Sequence, residues 1–259
     1  MSVSFDVTDH IARVTIDRPE RRNAVDAATA DQLEEAWQSI EGNPEVRVVI
    51  LTGSGDKAFC AGADLKAGGD EKTGLEYWAH ARLNGFGGLS LRKSLHVPVI
   101  ARVNGVAVGG GFEMVLGCDI VIAADHATFG LPEARVGRMP LDGGMILLPR
   151  MIPEKLAMGM LLTGNRISAS EAERYGLINA VVPTATLDET VDAWATQIVQ
   201  CAPLSVKAIK ECVKETLDMP VSEAMAMKLP ALVTALESED SEEGPRAFQE
   251  KRKPDWKGR

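Results

Sequence analysis

Aromatic residues are scarce, only 5% of 259, so the interior has to be built from Val, Ile, Leu, Ala and Met. Cysteine is scarce too. Cys60, Cys118, Cys201 and Cys212 contain no C-x-x-C pair, which points to reduced thiols in a reducing compartment rather than a disulfide framework. His10, His80, His96 and His126 lack metal-ligand spacing, so no metal is expected. Positive charge is in deficit: the net charge is -9, which disfavours a phosphate backbone and argues against nucleic acid as a partner. No apolar run approaches the roughly 20 residues that cross a bilayer; the most apolar zone is interrupted by Arg102, Glu113 and Asp119. The N-terminal residues have no basic stretch leading into an apolar one, so no signal peptide is visible and a cytoplasmic location is expected.

What is present reads as an ordinary globular chain, 45% hydrophobic and 25% charged, of a length that suits one α/β unit with a substantial core. Ser2–Val7 and Ile11–Ile16, split by Asp9-His10, predict a hairpin. Leu33, Ala36, Trp37 and Ile40 repeat at helical spacing within 26–40. Val46–Leu51, Val97–Val103 and Asp119–Ala124 are strands that are apolar throughout, as in sheets covered on both faces. Thr52–Gly55 reads as a turn. Residues 67–95 are Gly-rich, then weakly helical, and are expected to line or cover a ligand pocket. Ser168 and Glu171 have capping-box spacing, and Ile178–Val182 is a last strand. After Pro183 the chain reads as helices at 186–200, 203–217, 221–237 and roughly 241–251. This divides the molecule into 1–183, expected to hold the chemistry, and 184–259, a helical region. Met225, Met227, Leu229, Leu232 and Leu236 are more apolar than a lone surface helix requires; they are either core or a subunit contact.

The residues that could carry chemistry cluster between Ala101 and Glu133. Three consecutive glycines, Gly109-Gly110-Gly111, stand between a strand and a helix. They are either a tight turn or a backbone that must approach a ligand and present N–H groups to it. A second small-residue segment, Phe59-Cys60-Ala61-Gly62-Ala63-Asp64-Leu65-Lys66, follows another strand. Two such turns could aim two amides at one oxygen, an oxyanion hole. Glu113 and Glu133 are carboxyls in apolar surroundings close to Gly-rich turns, a context that moves pKa values apart for acid–base work. Rival motifs fail. Gly53-Ser54-Gly55-Asp56-Lys57 lacks the Gly-Lys-Ser/Thr end of a phosphate loop, and neither Gly-x-Ser-x-Gly nor Gly-x-Gly-x-x-Gly occurs.

Together these residues resemble the enoyl-CoA hydratase/isomerase (crotonase) family. The resemblance runs through Asp17-Arg18-Pro19, Asn23-Ala24-Val25, the segment 59–66, Asn104-Gly105, the run 109–113, Cys118-Asp119-Ile120, Phe129-Gly130-Leu131-Pro132-Glu133, Thr163-Gly164 and the tail 251–256. It implies a spiral of ββα units followed by a helical C-terminal trimerisation region, in a homotrimer or homohexamer. It implies an acyl-coenzyme A thioester as substrate, with no separate cofactor, and a place in fatty acid metabolism. The amides of Ala63 and Gly110 would hold the thioester oxygen. Glu113 would handle the water at the β-carbon, and Glu133 the proton at the α-carbon. Asp119 would support from outside the site. Ala24, Asp64, Leu65, Lys66 and Gly109 would line the substrate. Phe248 and Lys251 would reach its nucleotide end, from this subunit or a neighbour, and Lys66 with the basic tail would supply a positive patch unless that tail is simply solvated. The reaction implied is reversible hydration of a 2-enoyl-CoA through an enolate.

One departure bears on the substrate. Where hydratases of the family read Pro-Gly-x-Gly-Gly, this chain has Pro140-Leu141-Asp142-Gly143-Gly144, similar to the carnitinyl-CoA dehydratase branch. Asp142 is therefore either a helix N-cap or, with Leu141, a substrate-facing group. The alternatives that follow are a carnitinyl-CoA dehydratase-like enzyme, an isomerase or an acyl-CoA hydrolase acting on a specialised acyl group.

Overall fold

The computed structural model describes residues 1–66, 74–80 and 82–259. The chain begins with a hairpin of β1 (Val3–Thr8) and β2 (Ile11–Ile16), paired antiparallel. Its two-residue turn places both Asp9 and His10 at positive φ, the conformation that matches strand twist in tight hairpins. Helix α1 (Ala27–Glu41) follows, capped by Asp26, whose carboxylate accepts from the Thr29 N–H at 2.8 Å. Leu33, Ala36, Trp37 and Ile40 are buried along its inner face as their spacing predicts.

The centre of the molecule repeats one pattern. A strand enters a large sheet, a short strand enters a small sheet, and a helix returns the chain. The first turn is β3 (Val48–Gly53), β4 (Ala58–Cys60) and α2 (Gly74–Ala79). The second is β5 (Val99–Val103), β6 (Val106–Val108) and α3 (Gly110–Gly117). The third is β7 (Ile120–Ala124), β8 (Thr128–Gly130) and α4 (Gly144–Met151). After α5 (Glu154–Thr163) come β9 (Ile167–Ser168), α6 (Ala169–Arg174) and β10 (Ala180–Val182). The large sheet has the order β1-β2-β3-β5-β7-β10 and the small one β4-β6-β8-β9. From β2 to β10 the large sheet is parallel; in the small one only the β8–β9 pair is antiparallel. This is the spiral of ββα units.

The large-sheet strands are apolar throughout because both of their faces are covered. Val49, Leu51, Val99, Ala101, Val121 and Ala123 enter the main core. The alternate residues Val48, Ile50, Ile100 and Ile122 meet Leu187, Val191 and Ala195, which lie on α7 (Leu187–Val199). The remaining helices are α8 (Pro203–Thr216), α9 (Val221–Ala226), α10 (Pro230–Leu236) and α11 (Glu239–Gln249).

Three sequence expectations need correction, and one element was not expected at all. The stretch 221–237 is two helices, because Pro230 forces Leu229 into an extended conformation, with ψ 132°. Thr52 and Gly53 belong to β3 rather than to a turn. Strands β3, β5 and β10 each begin two residues later than their apolar runs. The small sheet is absent from the sequence reading, since strands of two or three residues are too short to show a period. The capping box is present: the Glu171 N–H donates to Ser168 Oγ, and the Ser168 N–H to Glu171 Oε2. Of the 67–95 expectation, 67–73 and residue 81 lie outside the described residues.

Asp119 proves to be a clamp between helix and sheet. Its Oδ2 accepts from the Val99 N–H at 2.8 Å and from Lys210 Nζ at 2.6 Å, while Lys210 also donates to the Val97 carbonyl. Lys210 is nearly buried, 8% exposed, so removing its partner leaves an unpaired charge in a dry place. Asp119→Ala is expected to destabilise the protein by about 3 kcal/mol, read from urea unfolding, with little effect on any activity of the glycine-rich site.

Candidate functional site

The two small-residue turns meet. The Gly109 N–H donates to the Gly130 carbonyl at 3.0 Å, and Gly109 has φ +58°, a conformation open to glycine at no cost. A β-carbon on Gly110 would lie 2.4 Å from the Phe86 ring, and one on Gly111 would lie 2.2 Å from the Cys60 carbonyl oxygen. Close approach, rather than turn tightness alone, therefore demands the triplet. From the other side, a β-carbon on Gly62 would come within 3.3 Å of the Gly110 nitrogen. Val25 donates to the Gly62 carbonyl and accepts from the Asp64 N–H. That bridge straddles Ala63 and leaves its amide free. Among the described residues neither the Ala63 nor the Gly110 N–H has a partner, and Gly110 opens α3, where the helix dipole adds partial positive charge.

Carboxyl groups flank this pair. Glu113 lies in the first turn of α3, is 2% exposed, and accepts from the Gly144 N–H at 2.9 Å through Oε1. Burial pushes its carboxyl up to about 8; the Gly144 amide opposes this, and the charges of Asp142 and Glu133 add to it. Glu133 opens the 3-10 turn Glu133–Val136. Its Oε1 would touch a β-carbon on Gly109 at 3.3 Å, and its Oε2 is buried without a partner among the described residues. Burial raises this carboxyl as well.

Asp142 completes the group. Gly143, not Asp142, is the N-cap of α4, at φ +117° and without a side-chain cap bond; the N-cap reading is therefore overturned. The Asp142 carboxyl, 3% exposed, instead accepts from the Tyr77 hydroxyl at 2.5 Å through Oδ2, and its Oδ1 is buried without a partner among the described residues. Burial raises it, against the Tyr77 hydrogen bond and the charge of Arg82. Leu141 beside it is half-buried.

The other expected residues divide. Ala24, Asp64, Leu65 and Lys66 border the Ala63 turn, with Leu65 84% exposed. The Asp64 carboxylate points inward: it accepts from Arg18 at 2.9 Å and from the Lys66 N–H at 3.1 Å. Arg18 also holds the Ala24 carbonyl and pairs with Asp26, so it braces this whole edge. Phe248 is exposed near the end of α11, and Lys251 follows it at φ +54°. None of the described hydrogen bonds or ion pairs joins either to the carboxyl cluster. In the basic tail, Arg252 is taken up by Glu243 and Glu250.

Sequence reasoning missed Tyr77, Arg18, Phe86 and Gly144. Arg18 and Gly144 sat inside quoted motifs, but nothing in their spacing showed what they touch. Tyr77 and Phe86 lie in a stretch of weak periodicity. Among the described residues no group of His, Cys, Asp and Glu is placed to hold a metal ion, and no helix is long and apolar enough to cross a membrane.

The family model for enoyl-CoA hydratase/isomerase matches residues 6–259. The chain belongs to that family. Carnitinyl-CoA dehydratases from Citrobacter koseri and Salmonella arizonae are 43% and 44% identical to it, each over the full length of both chains. The crystal structure of enoyl-CoA hydratase from Bacillus anthracis superposes with a TM-score of 0.92 at 37% identity, covering all of both chains. The crotonase-like fold with a helical C-terminal region, expected from the resemblance, is the fold of this protein.

Burial of Glu113 has a consequence for stability. Its folded carboxyl titrates near 8 against an ordinary value of 4.5, so the unfolded chain binds fewer protons between those pH values. Its contribution is complete below about pH 4.5 and is lost as the pH rises through 8. Glu113→Gln is therefore expected to match the wild type in thermal unfolding near pH 4.5 and to exceed it by pH 8.5, by on the order of a few kcal/mol. A constant difference across that range would contradict the buried, proton-bearing carboxyl.

Proposed function

We propose that the chain is a carbon–oxygen lyase that adds water reversibly, with syn geometry, to a 2-enoyl-CoA to give a 3-hydroxyacyl-CoA. The observation that carries this reading is the pairing of two carboxyls with raised pKa, buried Glu113 and half-buried Glu133, beside two amides, Ala63 and Gly110, that have no partner among the described residues. The amides hold the thioester oxygen, so negative charge moving onto it in the enolate is stabilised; one such donor is worth about 10²–10³ in rate. Glu113 takes a proton from the water attacking the β-carbon, and Glu133 gives one to the α-carbon. Dehydration runs the same steps backwards. A double-bond isomerase could work with one carboxyl, so the second favours hydration.

The coenzyme A moiety would run past Ala24, Asp64, Leu65, Lys66 and Gly109, with Phe248 and Lys251 contributed by a neighbouring subunit. A homotrimer or homohexamer suits the exposed apolar residues of the C-terminal helices, among them Leu217 at 72%, Met225 at 77% and Leu236 at 75%. A cytoplasmic enzyme of fatty acid or related acyl-CoA metabolism fits this chemistry. A second reading, a dehydratase for a polar acyl group, is supported by Asp142, which adds a second buried carboxyl beside Glu113, and by the relatives named carnitinyl-CoA dehydratase.

Glu113→Gln and Glu133→Gln should each lower turnover of crotonyl-CoA by roughly 10²–10⁴-fold, followed as loss of the conjugated thioester's ultraviolet absorbance. Binding of the thioester should be nearly unchanged. A near-normal rate in either variant would remove that residue's role. Asp142→Gly should change the ranking of kcat/KM across a panel of acyl thioesters more than it changes the best kcat; an unchanged ranking would count against the specialised acyl pocket.

A further inference from the structure

Hydration as proposed depends on where two amides point, and one of them, Gly110, opens α3. One face of that helix rests on a segment to which the reaction as written gives no part, Gly85-Phe86-Gly87-Gly88. A β-carbon on Gly110 would lie 2.4 Å from the Phe86 ring. Four residues on, Met114 Sδ would be 2.2 Å from a β-carbon on Gly87. Three residues further, a β-carbon on Gly117 would meet the Ser90 Cα at 2.8 Å. Positions 110, 114 and 117 form one stripe of a helix. The segment therefore touches α3 from its first residue to its last.

The segment is itself held fast. Gly85, Gly87 and Gly88 stand at φ +69°, +60° and +67°, a backbone that residues with side chains rarely adopt. The one side chain among these four residues is that of Phe86. The Phe86 N–H donates to Ser90 Oγ at 2.9 Å. Helix α1 grips the segment at three further points. Asn84 Nδ2 donates to Glu34 at 3.3 Å, and Trp37 Nε1 to the Gly87 carbonyl at 2.7 Å. Arg92, its side chain 2% exposed, donates to the Gly88 carbonyl at 3.1 Å while it pairs with Glu34 and Glu41. A buried guanidinium with two carboxylates is a costly fixture to assemble unless both are in place, and here it braces a loop that presents one aromatic ring.

We propose that Phe86 is a positioning residue that fixes the start of α3, and with it the direction in which the Gly110 amide meets the thioester oxygen. The inference rests on reading the Gly110 and Ala63 amides as the pair that holds this oxygen. The first N–H groups of a helix have no partner within the helix, so the aim of the Gly110 amide is only as firm as the helix end that carries it. Gly110 has Phe86 against its α-carbon and the Gly62 turn against its nitrogen, where a β-carbon on Gly62 would come to 3.3 Å. The ring supplies the packing that a side chain on Gly110 would otherwise give, and a side chain there has no room. A displacement of about 1 Å in a catalytic group can cost roughly 10²-fold in rate, so a ring that merely supports the donor has leverage on the chemistry.

The test is the absorbance of bound 2,4-hexadienoyl-CoA, whose conjugated thioester absorbs at longer wavelength as its carbonyl oxygen is polarised. It is read by stopped flow in Glu133→Gln protein, so that the ligand persists. Binding should shift the band to the red. Adding Phe86→Ala should remove most of that shift. With Glu133 intact, Phe86→Ala should lower kcat for crotonyl-CoA by about 10–10²-fold. KM should stay within about threefold, the pattern of an interaction made in the transition state. Phe86→Leu, which keeps an apolar group against Gly110, should restore most of both. Ser90→Ala frees the Phe86 N–H without altering the ring; it should lose a smaller part of the shift, and it carries the test if Phe86→Ala fails to fold. A full red shift in Phe86→Ala and in Ser90→Ala, or a raised KM with unchanged kcat, overturns the proposal and leaves Phe86 as a wall of the acyl pocket. Absence of the shift in Glu133→Gln protein itself would remove the reading of the two amides, and this proposal with it. A shift present there and lost in Phe86→Ala supports the proposal even where crotonyl-CoA is not hydrated, so the two failures are distinguishable.

Discussion

Backbone-to-backbone contact between the turn at Gly109–Gly111 and the segment at Cys60–Gly62 is the constraint on which the rest of the site depends. It brings the ends of two neighbouring strands, β4 and β6, so close that a single methyl group at Gly111 would overlap the Cys60 carbonyl. The contact is possible because β4, β6 and β8 run parallel, so successive turns of the spiral reach the same edge of the small sheet. From there α3 departs with its amino end against the Ala63 turn, and both free amides follow from that placement. A residue that supports the contact from below is Phe86, whose ring occupies the space a side chain on Gly110 would need. The segment carrying Phe86 is itself pinned to α1, through Trp37 Nε1 donating to the Gly87 carbonyl and Arg92 bridging Glu34 and Glu41.

The same enclosure that frees the amides makes the carboxyls costly. A buried carboxylate without a cation is held only by hydrogen bonds, and among the described residues this site supplies few: the Gly144 amide for Glu113, the Tyr77 hydroxyl for Asp142, and no partner for Glu133 Oε2. Protons are retained on such groups at pH values where surface carboxyls have lost them. Stability and chemistry are therefore opposed here. The Arg18 cluster shows the other solution, with one guanidinium satisfying Asp26 and Asp64; those carboxylates hold a loop edge and have no charge left to use.

How much could be read beforehand follows from the scale of each signal. The glycine triplet, Glu113 and Glu133 were legible because small residues and acids in apolar sequence are anomalies that a local reading detects. The large sheet was legible because strands buried on both faces leave unbroken apolar runs. The small sheet was not, since a pair such as Ile167-Ser168 has no period. Tyr77 was invisible for a different reason: its role is defined by Asp142, 65 positions away, and no local pattern encodes a partner at that distance. For Asp142 both readings were locally sound, because a cap and a buried acid can have the same neighbours, and only the left-handed Gly143 separates them.

The C-terminal helices extend the argument from the site to the whole chain. Helix α7 seals the outer face of the large sheet, with Leu187, Val191 and Ala195 fully buried, and α8 is locked to β5 through Lys210 and Asp119. Beyond these the character changes: α9 has no buried residue, and α10 buries only Ala235. A protein of net charge -9 that is to hold a polyanionic thioester needs cations in reach of it, and much of its own supply is already engaged. Lys210 is bound to Asp119, and Arg252 to Glu243 and Glu250. Lys66 is exposed at the site's edge and no described ion pair takes it up, whereas no described hydrogen bond or ion pair joins Phe248 or Lys251 to it; the cations left for a polyanion are therefore those of the exposed edge and not those already bound to carboxylates.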